Sequence, residues 1–191
     1  MNIKSIKTML NLSGSWGIMR RYFVVNGFDG ALTSLGLIMG FFVSARVDLT
    51  VVITTCLAAS LALGMSGVSS AYISEAAERR RQLGQLEDAM LSSLEQSYHA
   101  KSVIWSAGLV ALVNGVAPLF IALIIIFPLW LGQQNLLYGL DPLATAIAVA
   151  LMIIFMLGVF LGRVGGTFWL WSGLQSLTVA LLTLGLIYLI N

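Results

Sequence analysis

The alternation of apolar and polar segments divides the chain into five long apolar runs. They cover residues 22–44, 50–73, 103–127, 142–162 and 168–190. A helix needs about 20 residues to cross the hydrocarbon core of a bilayer, and each run is long enough to do so. The pattern therefore predicts an all-α integral membrane protein with five transmembrane helices, which form a single membrane domain over residues 1–191.

The composition also indicates a lipid environment. Hydrophobic residues make up 59% of the chain and charged residues 9%, whereas a soluble domain carries roughly 25% charged residues. A formal net charge of +2 is too small to indicate a nucleic-acid partner. Cys56 is the one cysteine, so neither an intrachain disulfide nor a cysteine-based metal site is expected. The lipid bilayer is the predicted partner.

The basic residues indicate the orientation of the spans, because cytoplasmic loops of membrane proteins are enriched in lysine and arginine. Nine of the ten fall on one side of the predicted membrane: Lys4, Lys7, Arg20, Arg21, Arg79, Arg80, Arg81, Lys101 and Arg163. Only Arg46 falls on the other side. The first side is therefore predicted to be cytoplasmic. With five spans, the N-terminus then lies in the cytoplasm and the C-terminus on the opposite side.

One polar segment, residues 74–102, is long enough to form structure of its own, and the basic residues place it in the cytoplasm. Its apolar residues recur at three- and four-residue spacing among Glu and Arg: Leu83, Leu86, Met90, Leu91 and Leu94. This spacing is typical of an amphipathic helix. We therefore expect a short cytoplasmic helix that continues from the second span.

Asp29 lies inside the first span, where an ionisable group costs at least about 2.5–3.5 kcal/mol and usually faces a pathway or a partner. The alternative is a structural role, in which Asp29 is buried and hydrogen-bonded to Ser or Thr of a neighbouring helix, or is kept protonated by desolvation. At ~1.5 Å per residue, Asp29 and Met65 lie roughly 10 and 12 Å from the cytoplasmic ends of their spans. A carboxylate and a thioether in one layer suit Fe²⁺ or Mn²⁺, because sulfur disfavours Mg²⁺ and Ca²⁺. Met65 is also a common filler of apolar cores.

Further positions near this pair are candidates for an ion pathway: Gly27, Gly30, Ser66, Tyr72 and Asn114. The small residues among them would let helices approach closely. Alternatively, Gly27 and Gly30 would loosen the first span so that its carbonyl groups join a site. Asn114, with Pro118 four residues later, predicts a kink and a polar point near the middle of the third span.

Glu75 and Glu78, just beyond the second span, are candidate metal ligands. They lie three residues apart on one helix face, where they would hold a cation together or gather it before it enters the membrane. Alternatively, Glu75 pairs with Arg79 and Glu78 with Arg81 in ordinary surface ion pairs. His99, a lone histidine near the predicted membrane interface, is a further candidate ligand.

Two stretches resemble the vacuolar iron transporter family, a group of five-span carriers of divalent metals. They are Arg21–Leu32 (RYFVVNGFDGAL) in the first span, and Gly64-Met65-Ser66 followed by Ala71-Tyr72-Ile73-Ser74 in the second. The resemblance implies a homodimer that moves metal against protons, with Asp29 and Met65 on the ion path. The chain departs from the family at Phe28, where Asn is usual, and at Ser70-Ala71, where Gly-Glu is usual. Its cytoplasmic segment is also shorter than the family's metal-binding helices.

These observations predict a membrane transporter of Fe²⁺ or Mn²⁺ that exchanges the metal for protons and holds no permanent cofactor. A non-transporting scaffold that uses residues 74–102 as a contact surface is the alternative. An enzyme is not expected. Gly64-Met65-Ser66-Gly67 matches the Gly-x-Ser-Gly of rhomboid-type proteases, but Ser66 would need a base, and the single histidine, His99, lies outside the spans.

Overall fold

A computed structural model describes residues 15–44, 48–90, 98–137 and 139–190, and for residues 15, 90 and 98–104 it describes the backbone alone. Within these ranges the chain forms five helices and no strand. In chain order they are α1 (Ser15–Val43), α2 (Leu49–Met90), α3 (Tyr98–Gln133), α4 (Pro142–Gly165) and α5 (Trp169–Ile190). All five are long and apolar enough to cross a membrane. The predicted all-α architecture with five candidate spans is confirmed.

Several helices extend beyond the predicted apolar runs. α1 begins before the predicted start at Tyr22, and α3 begins before Val103. α2 contains 42 residues and is roughly 60 Å long at ~1.5 Å per residue, about twice the ~30 Å thickness of the hydrocarbon core. The predicted cytoplasmic segment therefore continues the second span as one helix up to Met90. Its cytoplasmic position stays a prediction, and residues 91–97 lie outside the described ranges.

Local sequence accounts for where two of these helices begin and one ends. Asp48 precedes α2 and accepts a hydrogen bond from a backbone N–H of the first turn at 2.9 Å. Asp141 precedes α4 and accepts two such bonds at 3.3 Å each. Pro142 follows Asp141 at the first position of the helix. Backbone N–H groups there have no intrahelical acceptor, so the N–H that proline lacks costs no hydrogen bond. Gly166 ends α4 with φ of 70°, a left-handed conformation that glycine adopts without strain.

Two compact units make up the described chain. The first combines the described residues of Met1–Phe23 with those of Gly64–Val116, and the second combines those of Val24–Leu63 with those of Ala117–Asn191. The second unit holds a continuous apolar core to which all five helices contribute, including Leu35, Ile38, Val52, Ile125, Ile154 and Ala180. Buried residues of the first unit include Met19, Ala71, Ala107, Val110 and Ala111. Each unit therefore has buried apolar residues of its own.

Helices α4 and α5 pack closely within the second unit through small residues. A Cβ atom at Gly158 would lie 2.8 Å from the carbonyl oxygen of Ser172, and one at Gly162 would lie 2.6 Å from the Ser172 hydroxyl. A Cβ atom at Gly173 would lie 2.7 Å from the Phe155 ring. Such close backbones gain van der Waals contact, which drives helix association where lipid replaces water.

Candidate functional site

Asp29 lies at the middle of α1, fourteen residues from Ser15 and fourteen from Val43, or roughly 21 Å from each end at ~1.5 Å per residue. Its side chain is exposed. Within the part of the chain that the structure describes, no group forms a hydrogen bond or an ion pair with it. The described residues thus do not supply the buried Ser or Thr partner that a structural role would need.

The buried face of α1 fixes this orientation of Asp29. Ala31, Leu35 and Ile38 are fully buried in the core of the second unit. At about 100° per residue, their face of the helix lies opposite Asp29. Rotating α1 to bury Asp29 would therefore expose these three apolar side chains, and the core holds the carboxylate outward.

The two glycines beside Asp29 have different surroundings. A Cβ atom at Gly30 would lie 2.6 Å from Pro118 Cα, so the α1 and α3 backbones approach closely there. At Gly27 a Cβ atom would make ordinary contacts, at 3.5 Å from Ile121 and 3.6 Å from Leu157. α1 continues as a helix through both positions. Close helix packing therefore accounts for Gly30, whereas a methyl group fits at Gly27.

Met65 and Ser66 lie on α2 in the first unit, and both side chains are exposed, with 61% exposure for Met65. Gly67 faces α3, because its carbonyl oxygen accepts a hydrogen bond from Asn114 Nδ2 at 2.8 Å. Two residues correspond to about 200° of helical rotation, so Met65 points away from α3. At this exposure Met65 is not a filler of the described core.

Asn114 anchors α3 to α2. Gly115 brings the two backbones together beside it, since a Cβ atom there would lie 2.6 Å from the carbonyl oxygen of Gly64. α3 continues as a single helix through Pro118, although proline removes the N–H that would bond to the carbonyl of Asn114. The predicted polar point of the third span is therefore a buried contact between helices.

Glu75 and Glu78 lie on the C-terminal part of α2. Glu75 Oε2 is 3.5 Å from Arg79 Nε, so the predicted ion pair is present. Glu78 accepts a hydrogen bond from Gln82 Nε2 at 3.1 Å. Among the described residues its predicted pair with Arg81 does not form, because the amide one turn further along takes that place. Both carboxylates therefore have protein partners.

The remaining candidates are divided between the two units. Asp29, Gly27 and Gly30 belong to the second unit, and Met65, Ser66, Tyr72, Glu75, Glu78 and Asn114 to the first. Tyr72 is exposed. The depth-based pairing of Asp29 with Met65 stays a prediction. His99 lies in α3, but its side chain is outside the described set. Among the described His, Cys, Asp and Glu side chains, no group of three converges.

A polar stripe along α1 adds two residues, Asn26 and Thr33, to the candidates predicted from the sequence. Asn26, Asp29 and Thr33, all in the second unit, follow one another at intervals of three and four residues, which places them on one helix face. All three are half-buried or exposed. The spacing itself was the signal, and it extends the candidate site from one carboxylate to a line of polar groups.

Comparison with known proteins gives a relative of nearly the same length. The chain is 28% identical over 192 residues to an uncharacterised protein of Methanocaldococcus jannaschii, and the match covers 98% of this chain and 96% of the relative. No family model matches the chain, and no solved structure matches it.

Proposed function

We propose that the protein is a membrane transporter that moves a divalent transition metal, Fe²⁺ or Mn²⁺, in exchange for protons. The observation that carries this proposal is Asp29, an exposed carboxylate at the middle of a helix that is long and apolar enough to span a membrane. Within the described part of the chain it has no bonding partner. A transported cation supplies one.

Four other carboxylates differ from Asp29 in having an evident local role. Asp48 and Asp141 accept hydrogen bonds from the first turns of α2 and α4, and Glu75 and Glu78 bond to side chains of α2. An ionisable group within a span costs at least about 2.5–3.5 kcal/mol. No bond among the described residues offsets this cost for Asp29, so we assign its carboxylate to cation binding.

The ligand chemistry favours a transition metal. A carboxylate supplies the negative charge that any divalent cation requires, and the exposed thioether of Met65 supplies a second, softer group on the proposed ion path. Mg²⁺ and Ca²⁺ prefer oxygen ligands throughout. Protons compete with the metal for the carboxylate of Asp29, and this competition couples the two movements. The resemblance to vacuolar iron transporters supports the same two residues.

A homodimer is part of the proposal. In one copy Asp29 is exposed and Asn26 and Thr33 on the same face of α1 are half-buried, and an ionisable side chain inside a span usually faces a pathway or a partner instead of lipid. A second copy that covers the stripe would enclose a polar path and contribute ligands to the metal. The metal is the cargo in this scheme, and the protein holds no permanent cofactor.

Uptake of Fe²⁺ and Mn²⁺ into liposomes that contain only this protein tests the proposal. Asp29→Asn retains the size of the side chain but removes its charge, so uptake is expected to fall about tenfold or more. Met65→Leu removes the sulfur while retaining volume and apolarity, and should lower uptake with little change in thermal stability. Uptake by the parent should also weaken when the external medium is acidified, because protons on that side compete with the metal for Asp29.

The control variant is Asp88→Asn, which removes an exposed carboxylate near the end of α2 and should leave uptake unchanged. Thermal unfolding is measured for every variant. Uptake by Asp29→Asn at the parental rate would exclude this residue from the ion path. An unfolded Asp29→Asn protein would instead give Asp29 a structural role.

A non-transporting scaffold is the second candidate, and the C-terminal part of α2 favours it. The helix continues through residues 74–90, and Leu86 is 40% exposed there, while Leu83 is half-buried. A helix with exposed leucine offers a contact surface to a partner protein. Uptake no greater than in protein-free liposomes would favour this function over transport.

A further inference from the structure

We propose that one end of the first unit binds the headgroups of anionic phospholipids through four arginines. They are Arg20 and Arg21 on α1 and Arg80 and Arg81 on α2. α1 begins at this end and α2 leaves its apolar segment there, so two consecutive spans place all four on the same side of the membrane. The inference requires that α1 and α2 span the bilayer, but it does not depend on metal transport.

The charges of this region are not balanced within the described chain. All four arginines are exposed, and none of them forms an ion pair with a described residue. Glu75 pairs with Arg79, and Glu78 accepts a side-chain hydrogen bond, so the neighbouring carboxylates are already engaged. Residues 15–23 and 64–81 contain five arginines and two glutamates, which gives a net charge of +3, and Glu87 and Asp88 further along α2 reduce it to +1 up to Met90. An anionic headgroup supplies the missing charge.

Exposed aromatic and apolar side chains place these arginines at the membrane boundary. Trp16 lies one turn before Arg20 on α1 and is 58% exposed, and tryptophan is enriched at the headgroup level. Ile73 lies two turns before Arg80 on the same face of α2 and is 68% exposed, which marks a surface for lipid chains. At ~1.5 Å per residue, Arg80 lies about 10 Å beyond Ile73, near the headgroup layer that adds roughly 5–8 Å to each side of the core.

The directions of the two helices turn the arginines toward one layer. In an α-helix each Cα–Cβ bond tilts toward the N-terminus. Arg80 and Arg81 therefore lean back toward the apolar part of α2, whereas Arg20 and Arg21 lean away from the apolar part of α1. The Arg21 guanidinium also lies 5.7 Å from the centre of the Tyr22 ring, which keeps it beside an interfacial aromatic. Guanidinium groups in this layer can bind phosphate with paired N–H bonds.

The apolar surface beside the arginines favours a phospholipid over a soluble anion. A headgroup phosphate that binds Arg80 can keep its acyl chains on the exposed face that includes Ile73. Inorganic phosphate has no group that would use this face. We therefore assign the surface to an anionic phospholipid. Inorganic phosphate, the soluble anion, is the comparison ligand in the experiment below.

Lipid binding to the full chain in neutral detergent tests the proposal, with bound lipid counted by native mass spectrometry. Phosphatidylglycerol is expected to bind, and phosphatidylcholine and inorganic phosphate are not. Loss of one arginine should weaken phosphatidylglycerol binding about fivefold, so the double variants R20Q/R21Q and R80Q/R81Q should each weaken it about 25-fold. Concentrated salt should release the lipid from the parent.

Two further variants serve as controls. R80K/R81K keeps both charges and should bind within about threefold of the parent, since the ammonium group lacks only the paired geometry. R46Q removes the arginine that the sequence places on the other side of the membrane and should bind like the parent.

Equal binding of phosphatidylglycerol and phosphatidylcholine would overturn the proposal. Unchanged phosphatidylglycerol binding in both glutamine variants would also overturn it. If R20Q/R21Q fails to fold, unchanged binding in R80Q/R81Q alone would have the same meaning. Displacement of bound phosphatidylglycerol by inorganic phosphate would overturn it as well. Metal uptake is not measured, so these outcomes leave the transport proposal untouched.

Discussion

Asn114 and Asp29 are both polar residues of apolar helices, but their environments are opposite. Asn114 is 3% exposed and donates a hydrogen bond to the carbonyl oxygen of Gly67 at 2.8 Å. Asp29 is exposed and has no partner among the described residues. Hydrogen bonds between membrane helices contribute about 0.6 kcal/mol on average and up to about 1.7 kcal/mol. The first residue therefore stabilises the fold, whereas the second needs a functional explanation.

Asn114→Ala is expected to destabilise the protein by about 0.5–2 kcal/mol, because it removes this bond and leaves a small void between α2 and α3. The midpoint of thermal unfolding in a mild detergent measures the effect. Gln175→Ala is the control, since it removes an exposed side-chain amide from α5 and should cost less. Equal midpoints for Asn114→Ala and the parent would show that the contact with Gly67 contributes nothing to stability.

Among the helices, the packing of α4 on α5 depends most clearly on glycine. Gly158 lies where a Cβ atom would meet the carbonyl oxygen of Ser172 at 2.8 Å, and backbone atoms cannot move aside as a flexible side chain can. A Cβ atom at Gly185 on α5 would meet no atom of another residue within 4 Å outside the neighbouring backbone of its own helix. The same residue type thus has a packing role at one position and none at the other.

Gly158→Ala is expected to cost about 1–3 kcal/mol, because α4 and α5 must separate to admit the methyl group. Gly185→Ala is the matched control and should leave stability unchanged or raise it by up to about 1 kcal/mol, since alanine favours the helix over the unfolded chain. Thermal unfolding of both variants in the same detergent gives the comparison. A Gly158→Ala protein as stable as Gly185→Ala would contradict the close packing of these helices.

Sequence patterns were sufficient to predict the helices but not their rotation. Apolar runs predicted five spans, and the repeat around Leu83 and Leu86 predicted the continuation of α2. The polar stripe of α1 groups its polar residues on one face, but the sequence does not say whether that face meets lipid, a partner or another helix. The outward direction of Asp29 follows instead from the core contacts of Ala31 and Leu35, and the contact of Asn114 with Gly67 joins residues 47 positions apart. Neither is a property of local sequence.

At the scale of the whole molecule, the positions of lysine and arginine determine the predicted orientation. We expect a cysteine at Gln134, between α3 and α4, to react with an impermeant thiol reagent added to intact cells, and one at Gln85 on α2 not to react. Both side chains are exposed, so access to the reagent decides the outcome. Cys56→Ala provides the background, and Cys56 is itself buried. The reverse labelling pattern would invert the topology and place the C-terminal part of α2 outside.

The proposed homodimer gives the last prediction, because one copy leaves the stripe of Asn26, Asp29 and Thr33 incompletely covered. If a second copy packs on this face, two cysteines introduced at Thr33 should approach each other and form an oxidative cross-link between subunits. A cysteine at Leu182, which is 67% exposed on α5, should face lipid and cross-link much less. Both variants carry Cys56→Ala and are compared in liposomes at several protein-to-lipid ratios. Cross-linking at Thr33 that persists on dilution into lipid supports a dimer through α1. A chain that remains monomeric across this range would show that Asp29 faces lipid or water alone, and the transport proposal would then lose its second source of metal ligands.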